Sequence, residues 1–139
     1  MSVIVTDASL TLQWFLEDEA DRGYSLAVLQ RLQQDSAVVP SLRFYEMGNG
    51  LMTACRRKRI AFDQAIEYLK KVRKLPIPHD EVSPDIILNL PDIANRYDLT
   101  NYDAAYLELA IRRRLMLATT DDALRKAAVR AGVALVKPV

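Results

Sequence analysis

Histidine and cysteine are almost absent from this chain, which has one of each among its 139 residues. The single cysteine, Cys55, cannot form an internal disulfide bond, and there is no cluster of Cys and His to bind zinc. Any Ser-His-Asp or Cys-His catalytic site would have to use His79. The surroundings of His79, PIPHDE, are typical of a proline-flanked linker or a short edge strand. The sequence therefore argues against catalysis by histidine.

Long apolar stretches are also absent. No segment approaches the ~20 apolar residues that span a bilayer, and the start lacks the basic and apolar regions of a signal peptide. We therefore expect a cytoplasmic protein with no membrane partner. Half of the residues are apolar and 27% are charged, as in an ordinary globular protein. The length predicts a single domain over residues 1–139.

A strong overall charge is lacking as well, since the net charge is +1. The whole chain is therefore not drawn to nucleic acid by its charge. Basic residues nevertheless cluster at residues 56–59 (RRKR) and 112–114 (RRR). Two interpretations remain open, namely helix ends stabilised by the helix dipole and surfaces that bind phosphate groups.

Short apolar runs alternate with amphipathic segments along the chain. Strands are predicted at residues 3–6, 37–39, 75–78, 115–119 and 133–136. Helices are predicted over residues 20–34 and 62–75, and after caps at Asp7 or Ser9, Ser41, Ser83, Thr100 or Asn101, and Asp121 or Asp122. Pro91 is expected to kink or split the helix that ends near Tyr97. This alternation predicts an α/β fold, a three-layer α/β/α sandwich with a small parallel sheet.

Two carboxylates directly follow predicted strands. Asp7 comes after the first strand, and Asp121 comes after the strand at residues 115–119. Sites in open parallel sheets form beyond the carboxyl ends of the strands, so neighbouring strands would bring these two side chains into one crevice. Each aspartate could also serve only as a helix cap.

Two further acids lie on predicted helices. Glu46 has apolar flanking residues and a small polar face formed by Asn49 and Gly50, and Asp103 lies in a first helical turn, where the helix dipole favours an acid. Each also has an ordinary structural role available. A cleft that gathered all four acids would favour a cation, and oxygen-only ligands suit Mg²⁺ or Mn²⁺. Such a site points to phosphate chemistry.

Four segments carry a family resemblance, namely VTDASLTLQWF, PSLRFYEMGNGL, LTNYDAAYLELA and MLATTDDALRKAA. Together they resemble PIN-domain ribonucleases, and more narrowly the VapC-type toxins of toxin–antitoxin pairs. The resemblance covers nearly the whole chain, in the family's order. It implies a PIN-like fold and metal-dependent endonucleolytic cleavage of RNA, often transfer or ribosomal RNA, by a metal-activated water.

The resemblance also assigns residues. Its four acidic positions fall on Asp7, Glu46, Asp103 and Asp121, which would be both the catalytic residues and the ligands of Mg²⁺ or Mn²⁺.

Neighbouring positions receive supporting roles. Ser9 and Asn49 match a hydroxyl residue and a polar residue that support the site. Asp122 is an additional acid that would cap the helix or hold a second metal ion through water. Thr119 and Thr120 would either orient a ligand or finish the strand, and the strand role is favoured.

Partners follow from the resemblance too. It implies an RNA substrate, a homodimer, and a VapB-type antitoxin that forms a toxin–antitoxin hetero-oligomer. The alternative is a catalytically silent PIN fold that only binds RNA or a partner. A receiver-like phosphoacceptor domain is disfavoured because it needs a paired acid after the first strand, where Asp7 stands alone.

Overall fold

The alternation of apolar strands and amphipathic helices forms a parallel sheet covered by helices. The computed structural model describes residues 1–137. Its elements are β1 (Val3–Thr6), α1 (Ala8–Phe15), α2 (Gly23–Arg31), β2 (Ser36–Pro40), α3 (Leu42–Arg56), α4 (Phe62–Lys74), β3 (His79–Asp80), α5 (Pro84–Tyr97), α6 (Asn101–Arg113), β4 (Met116–Ala118) and α7 (Asp122–Arg130).

The sheet has the strand order β3-β2-β1-β4, and all of its pairs are parallel. The chain builds β1, β2 and β3 outward in one direction and then returns to place β4 on the other side of β1. This reversal makes the junction between β1 and β4 the topological switch point of the sheet. The predicted α/β fold with a small parallel sheet is confirmed.

Alternate strand residues supply two separate apolar layers, as the period of a β-strand requires. Val5, Val38 and Leu117 face a cluster that includes α6 and α7. Their neighbours in sequence face the opposite cluster, which includes α1 and α2. Because side chains leave both faces of every strand, helices cover both faces and produce the three layers.

Helix caps fix the ends of the helices near the carboxyl edge of the sheet. Asp7 caps α1, Thr100 caps α6 and Asp121 caps α7, each by accepting a hydrogen bond from a backbone N–H three residues later. Ser83 caps α5 in the same way. Ser41 precedes α3 but its side chain makes no such bond, so the prediction of a serine cap there was wrong.

Two predicted strands are corrected. The strand predicted at residues 75–78 lies instead at His79–Asp80, where His79 is opposite Val39. Pro78 contributes only its carbonyl, which accepts the Val39 N–H at 3.2 Å, because proline has no N–H to donate. The segment predicted at residues 133–136 makes only an isolated bridge, in which Leu117 exchanges two backbone hydrogen bonds with residues 134 and 136. Of the two alternatives for the surroundings of His79, a linker or a short edge strand, the structure shows the edge strand.

Two helix predictions also change. The helix predicted at residues 20–34 is shorter and covers Gly23–Arg31, since residues 32–34 form turns. Pro91 lies within α5 and does not split it. Among the described residues 1–137, no helix has both the length and the apolar character needed to cross a membrane.

Helices α1 and α3 pack closely where Leu12 meets Gly50. A Cβ atom added to Gly50 would lie 2.5 Å from a terminal methyl group of Leu12. Glycine therefore permits a helix approach that any larger residue would widen unless Leu12 moved. Leu12 and Gly50 therefore mark a point of close packing between α1 and α3.

Replacing Leu107 by alanine tests whether this residue lies in the core, as the structure shows. Leu107 is fully buried in α6, so Leu107→Ala should lower the free energy of unfolding by about 2–5 kcal/mol. The control is Leu88→Ala, because Leu88 is 78% exposed on α5 and its loss should change stability by under about 0.5 kcal/mol. Urea unfolding of both variants would measure the difference, and equal effects would contradict the placement of Leu107.

Candidate active site

The switch point between β1 and β4 brings two acid-bearing junctions side by side. Thr6 pairs with Ala118 in the β1–β4 register, so the next residues along both strands are also opposite one another. These residues are Asp7 and Thr119, and the Asp7 N–H donates to the Ala118 carbonyl at 3.3 Å. The register alone therefore places a carboxylate against a hydroxyl group at the carboxyl edge of the sheet.

Asp7 is buried and held by three donors. Its Oδ1 accepts the Leu10 N–H at 3.0 Å, and its Oδ2 accepts the Ser9 hydroxyl at 2.8 Å. The Thr119 hydroxyl also donates to Oδ2 in a short hydrogen bond. The carboxylate thus caps α1 with one oxygen, while two hydroxyl groups orient the other.

Burial raises the pKa of Asp7 from 3.8 to about 6. Desolvation is the largest cause, and the three hydrogen bonds to the carboxylate oppose it without cancelling it. The negative charge of Asp103 raises the pKa of Asp7 further. Capping is therefore not the whole explanation for Asp7, because an ordinary capping aspartate is exposed and ionised at little cost.

Asp121 reaches the same edge from the end of β4. Its Oδ2 accepts the Leu124 N–H at 2.9 Å and so caps α7. Its own N–H donates to the Thr119 hydroxyl oxygen at 3.0 Å. Because Thr119 also donates to Asp7, this one threonine joins the two aspartate-bearing junctions.

Glu46 enters the cleft from the first turns of α3. It is half-buried, and its Oε1 accepts the hydroxyl of Tyr106 at 2.7 Å. Desolvation raises the pKa of Glu46, and the charges of Asp103 and Asp7 raise it further, while the hydrogen bond from Tyr106 lowers it. The glutamate is therefore held inside the cleft and not directed to open water.

Asp103 links the cluster. It lies half-buried in the first turn of α6, and its pKa is raised first by desolvation and then by the charge of Asp121. Its own charge raises the pKa values of Asp7 and Glu46. The fold thus brings all four predicted acids close enough to repel one another electrostatically.

The donor chemistry fits a hard divalent cation, although the carboxylates are not closed around a central point. Within residues 1–137, no group of three or more His, Cys, Asp and Glu side chains is arranged to hold a metal ion as it stands. The pKa values of Asp7, Glu46 and Asp103 are raised first by desolvation and then by the charges of neighbouring acids, and a bound cation would oppose both effects. Carboxylate oxygens without His or Cys are the ligands that Mg²⁺ and Mn²⁺ prefer.

The predicted supporting residues differ in their placement. Ser9 contacts Asp7 directly. Asn49 is exposed and makes no hydrogen bond within the described part of the chain. Asp122 is exposed in the first turn of α7, while the cap is Asp121. The capping role predicted for Asp122 was therefore wrong, and supporting roles for Asn49 and Asp122 stay predictions.

Three residues of the cleft escaped the sequence reasoning. Thr119 was interpreted mainly as the end of a strand, yet its hydroxyl bonds to Asp7. Tyr106 lies three residues after Asp103, and this helical spacing was the available signal for its place in the cleft. Arg43, buried beside Tyr106, has no hydrogen-bond partner for Nε or Nη1 in residues 1–137, and desolvation lowers its pKa. The only indication in the sequence that Arg43 lies near the site was its position about one helical turn before Glu46.

Members of both predicted basic clusters take part in ion pairs. Arg59 contacts Asp18 at 2.7 Å and also contacts Glu19. Arg112 forms ion pairs with Asp80 and Glu108. These contacts favour a structural contribution from parts of each cluster.

Comparison with known families now gives the fold a name. The family profile described as PIN domain matches residues 4–130, a span that contains all four carboxylates. The chain belongs to the PIN-domain family. A comparison with curated proteins finds no match.

Solved structures resemble this PIN domain over nearly their whole length. PAE2754 from Pyrobaculum aerophilum is 23% identical, with 94% of this chain and 98% of that chain covered and a TM-score of 0.67. VapC20 from Mycobacterium tuberculosis, described as a sarcin–ricin loop cleaving toxin, is 15% identical, with 97% and 99% covered and a TM-score of 0.70. A toxin–antitoxin complex from Klebsiella pneumoniae is 19% identical, with 98% of each chain covered and a TM-score of 0.63. At these identities the likeness establishes the fold.

The raised pKa of Asp7 makes the stability of this PIN domain depend on pH. The folded state binds the proton more tightly than the unfolded chain, whose aspartate pKa is near 3.8. Ionisation of Asp7 therefore destabilises the fold as the pH rises through about 6, by roughly 3 kcal/mol at most. We expect Asp7→Asn to raise the free energy of unfolding at pH 8 by about 1–3 kcal/mol, with little gain at pH 4.

Urea unfolding in the presence of a chelator would measure this difference. The control is Glu17→Gln, since Glu17 is exposed and its neutralisation should leave the pH dependence unchanged. A loss of stability in Asp7→Asn at pH 8 would show that the three hydrogen bonds outweigh burial.

Proposed function

We propose that this PIN domain is a Mg²⁺- or Mn²⁺-dependent endoribonuclease that acts as the toxin of a toxin–antitoxin pair. The observation that supports this most is the convergence of Asp7, Glu46, Asp103 and Asp121 at the switch point of the sheet, with the pKa values of three of them raised. Asp7 and Asp121 are also helix caps, but capping explains neither the burial of Asp7 nor the half-buried positions of Glu46 and Asp103 near it. Their mutual repulsion is relieved by a bound cation.

The four carboxylates would hold the ion or ions. A divalent ion held there would activate water and stabilise negative charge at phosphorus. Binding of such an ion depends on how the chain orients its carboxylate oxygens. Two hydroxyl groups, from Ser9 and Thr119, bond to Oδ2 of Asp7 and fix the orientation of the carboxylate. Among the described residues, its Oδ1 atom accepts only the Leu10 N–H, so Oδ1 keeps a lone pair for a cation.

Tyr106 and Arg43 would shape the other side of the cleft. The Tyr106 hydroxyl holds one oxygen of Glu46 and leaves the second available. Burial keeps this tyrosine protonated, because its pKa is raised by desolvation and by the neighbouring charge of Glu46. Tyr106 therefore acts as a permanent donor that orients Glu46.

An RNA substrate follows from the chemistry and from the likeness to toxins. A hard-cation site without histidine suits the hydrolysis of phosphodiesters. VapC20, which shares this fold, is described as cleaving the sarcin–ricin loop. We therefore propose structured ribosomal or transfer RNA as the substrate class for this chain.

The partners are proposed on the same basis. The Klebsiella pneumoniae structure is a toxin–antitoxin complex, and we propose that this chain likewise binds a VapB-type antitoxin in a hetero-oligomer. A homodimer of the toxin is the proposed assembly unit. Both proposals fit a protein that works in the cytoplasm.

Neutralising a cleft carboxylate should abolish cleavage. We expect Asp103→Asn to reduce the rate of RNA cleavage with Mg²⁺ or Mn²⁺ at least 100-fold, and Asp7→Asn to do the same while the fold melts cooperatively. The rate is measured on total RNA in gel assays, with a chelator as the metal-free reference.

The matched control is Asp85→Asn. Asp85 occupies the first turn of α5 as Asp103 occupies that of α6, but it is exposed. Its variant should cleave at the wild-type rate. If wild-type protein left RNA intact under every condition, the chain would be a catalytically silent PIN fold.

Divalent ions should also stabilise the folded protein. An ion that binds only the native state raises its stability by about 2.7 kcal/mol at a concentration 100 times its Kd. We expect Mn²⁺ to raise the Tm of the wild type by several degrees and to raise that of Asp103→Asn much less. Calorimetry with Ca²⁺-free buffers would measure both, and equal shifts in the two proteins would place the ion elsewhere.

A further inference from the structure

A groove outside the carboxylate cluster runs between α7 and the segment that follows it. Two adjoining cavities, of about 680 and 450 Å³, share Arg125, Val129 and Leu135. Val129 is 67% exposed in the floor of this groove. We call this feature the α7 groove.

The α7 groove combines an apolar floor with cations of one sign. The residues that supply the charge are Arg125, Lys126, Arg130 and Lys137. No carboxylate lines either cavity. Within residues 1–137, none of these four cations forms an ion pair, so their charge is available to an anionic ligand.

Arg125 connects the groove to the carboxylate cluster. Its Nη1 donates to the Thr119 carbonyl at 2.9 Å, and the hydroxyl of the same threonine donates to Asp7. The guanidinium lies 5.2 Å from the centre of the Tyr24 ring. Thr119 and Tyr24 therefore both hold the Arg125 guanidinium, and Thr119 is itself bonded to Asp7 of the cluster.

We propose that the α7 groove binds a single-stranded segment of RNA next to the phosphodiester that reaches the carboxylate cluster. The phosphates would lie against the four cations, and a base would rest on the apolar floor around Val129. The identification of RNA as the ligand rests on the proposed function. The groove itself rests on its shape and charge.

Charge and chemistry favour RNA over a protein segment. An acidic cleft repels a polyanion, so cations beside it are needed to offset that repulsion. The Arg125 guanidinium lies over the Tyr24 ring, so the guanidinium would present the flat face on which an unpaired base stacks. An open apolar surface bordered by cations offers both contacts that single-stranded RNA makes.

Binding is best measured with a protein that cannot cut the probe. Fluorescence anisotropy of a labelled, mixed-sequence single-stranded RNA would be recorded with Asp103→Asn as the background. Adding Lys126→Gln and Arg130→Gln should weaken binding about tenfold and reduce the salt dependence by about two phosphate contacts. The control adds Arg73→Gln and Lys74→Gln, which remove the same charge from the exposed end of α4.

A second comparison separates base contacts from charge alone. The probe is a ribose-phosphate oligomer of equal length without bases. The background protein should bind intact RNA at least fivefold more tightly than the base-free oligomer, in line with the usual strength of stacking. Val129→Gln should remove that preference, whereas Val129→Leu, which keeps the floor apolar, should retain it.

Each outcome decides between named alternatives. Equal losses in the α7 and α4 double variants, or an unchanged preference in Val129→Gln, would overturn the groove proposal. If the same variants weakened the binding of a labelled acidic peptide but left RNA binding unchanged, the groove would be a protein-binding surface instead. Wild-type cleavage measured in parallel keeps the two proposals distinct, because RNA binding without cleavage refutes the nuclease and spares the groove. Melting curves identify any variant that fails to fold, and for such a variant Val129→Gln gives the answer alone.

Discussion

The parallel pairing of β1 with β4 is the interaction on which the rest depends. It sets Asp7 opposite Thr119 at the carboxyl edge of the sheet, and the hydroxyl between them joins Asp7 to the junction that carries Asp121. The order of strands makes this edge the switch point, where a crevice opens between helices that leave in different directions. A shift of the register by one residue would move Asp7 out of reach of Thr119 and turn the strand faces over.

Gathering partly buried carboxylates in one cleft lowers the stability of the folded protein, because their ionised forms lose water and repel one another. Burial raises the pKa of Asp7 to about 6. Burial is also the largest cause of the raised pKa values of Glu46 and Asp103, and the repulsion between the acids adds to it. A fold selected only for stability would place such groups in water or replace them by apolar residues. Their retention in one cleft is understandable if a cation completes the site, so the strain of the ion-free protein and its proposed function have the same origin.

The four acids and Ser9 could be predicted from the sequence, whereas the orienting contacts of Thr119 and Tyr106 could not. Asp7 and Asp121 could be predicted because a strand followed at once by a capping residue is a local pattern, and Glu46 and Asp103 were assigned through the family resemblance. The hydrogen bond from Tyr106 to Glu46 joins residues 60 positions apart, which no local pattern encodes. The position of β3 was missed because apolar character suggested residues 75–78, whereas the residues paired with β2 are His79 and Asp80, just after two prolines that have no N–H to donate.

Diffraction from crystals soaked in Mn²⁺, recorded at a wavelength where manganese scatters anomalously, tests the central claim most directly. We expect one or two anomalous peaks in the cleft, each about 2.0–2.2 Å from carboxylate oxygens that include those of Asp7 and Asp103. Crystals of Asp103→Asn should lose at least one peak. Peaks confined to other surface carboxylates, or a cleft that stays free of manganese at saturating concentration, would contradict a cation site at the junction of β1 and β4.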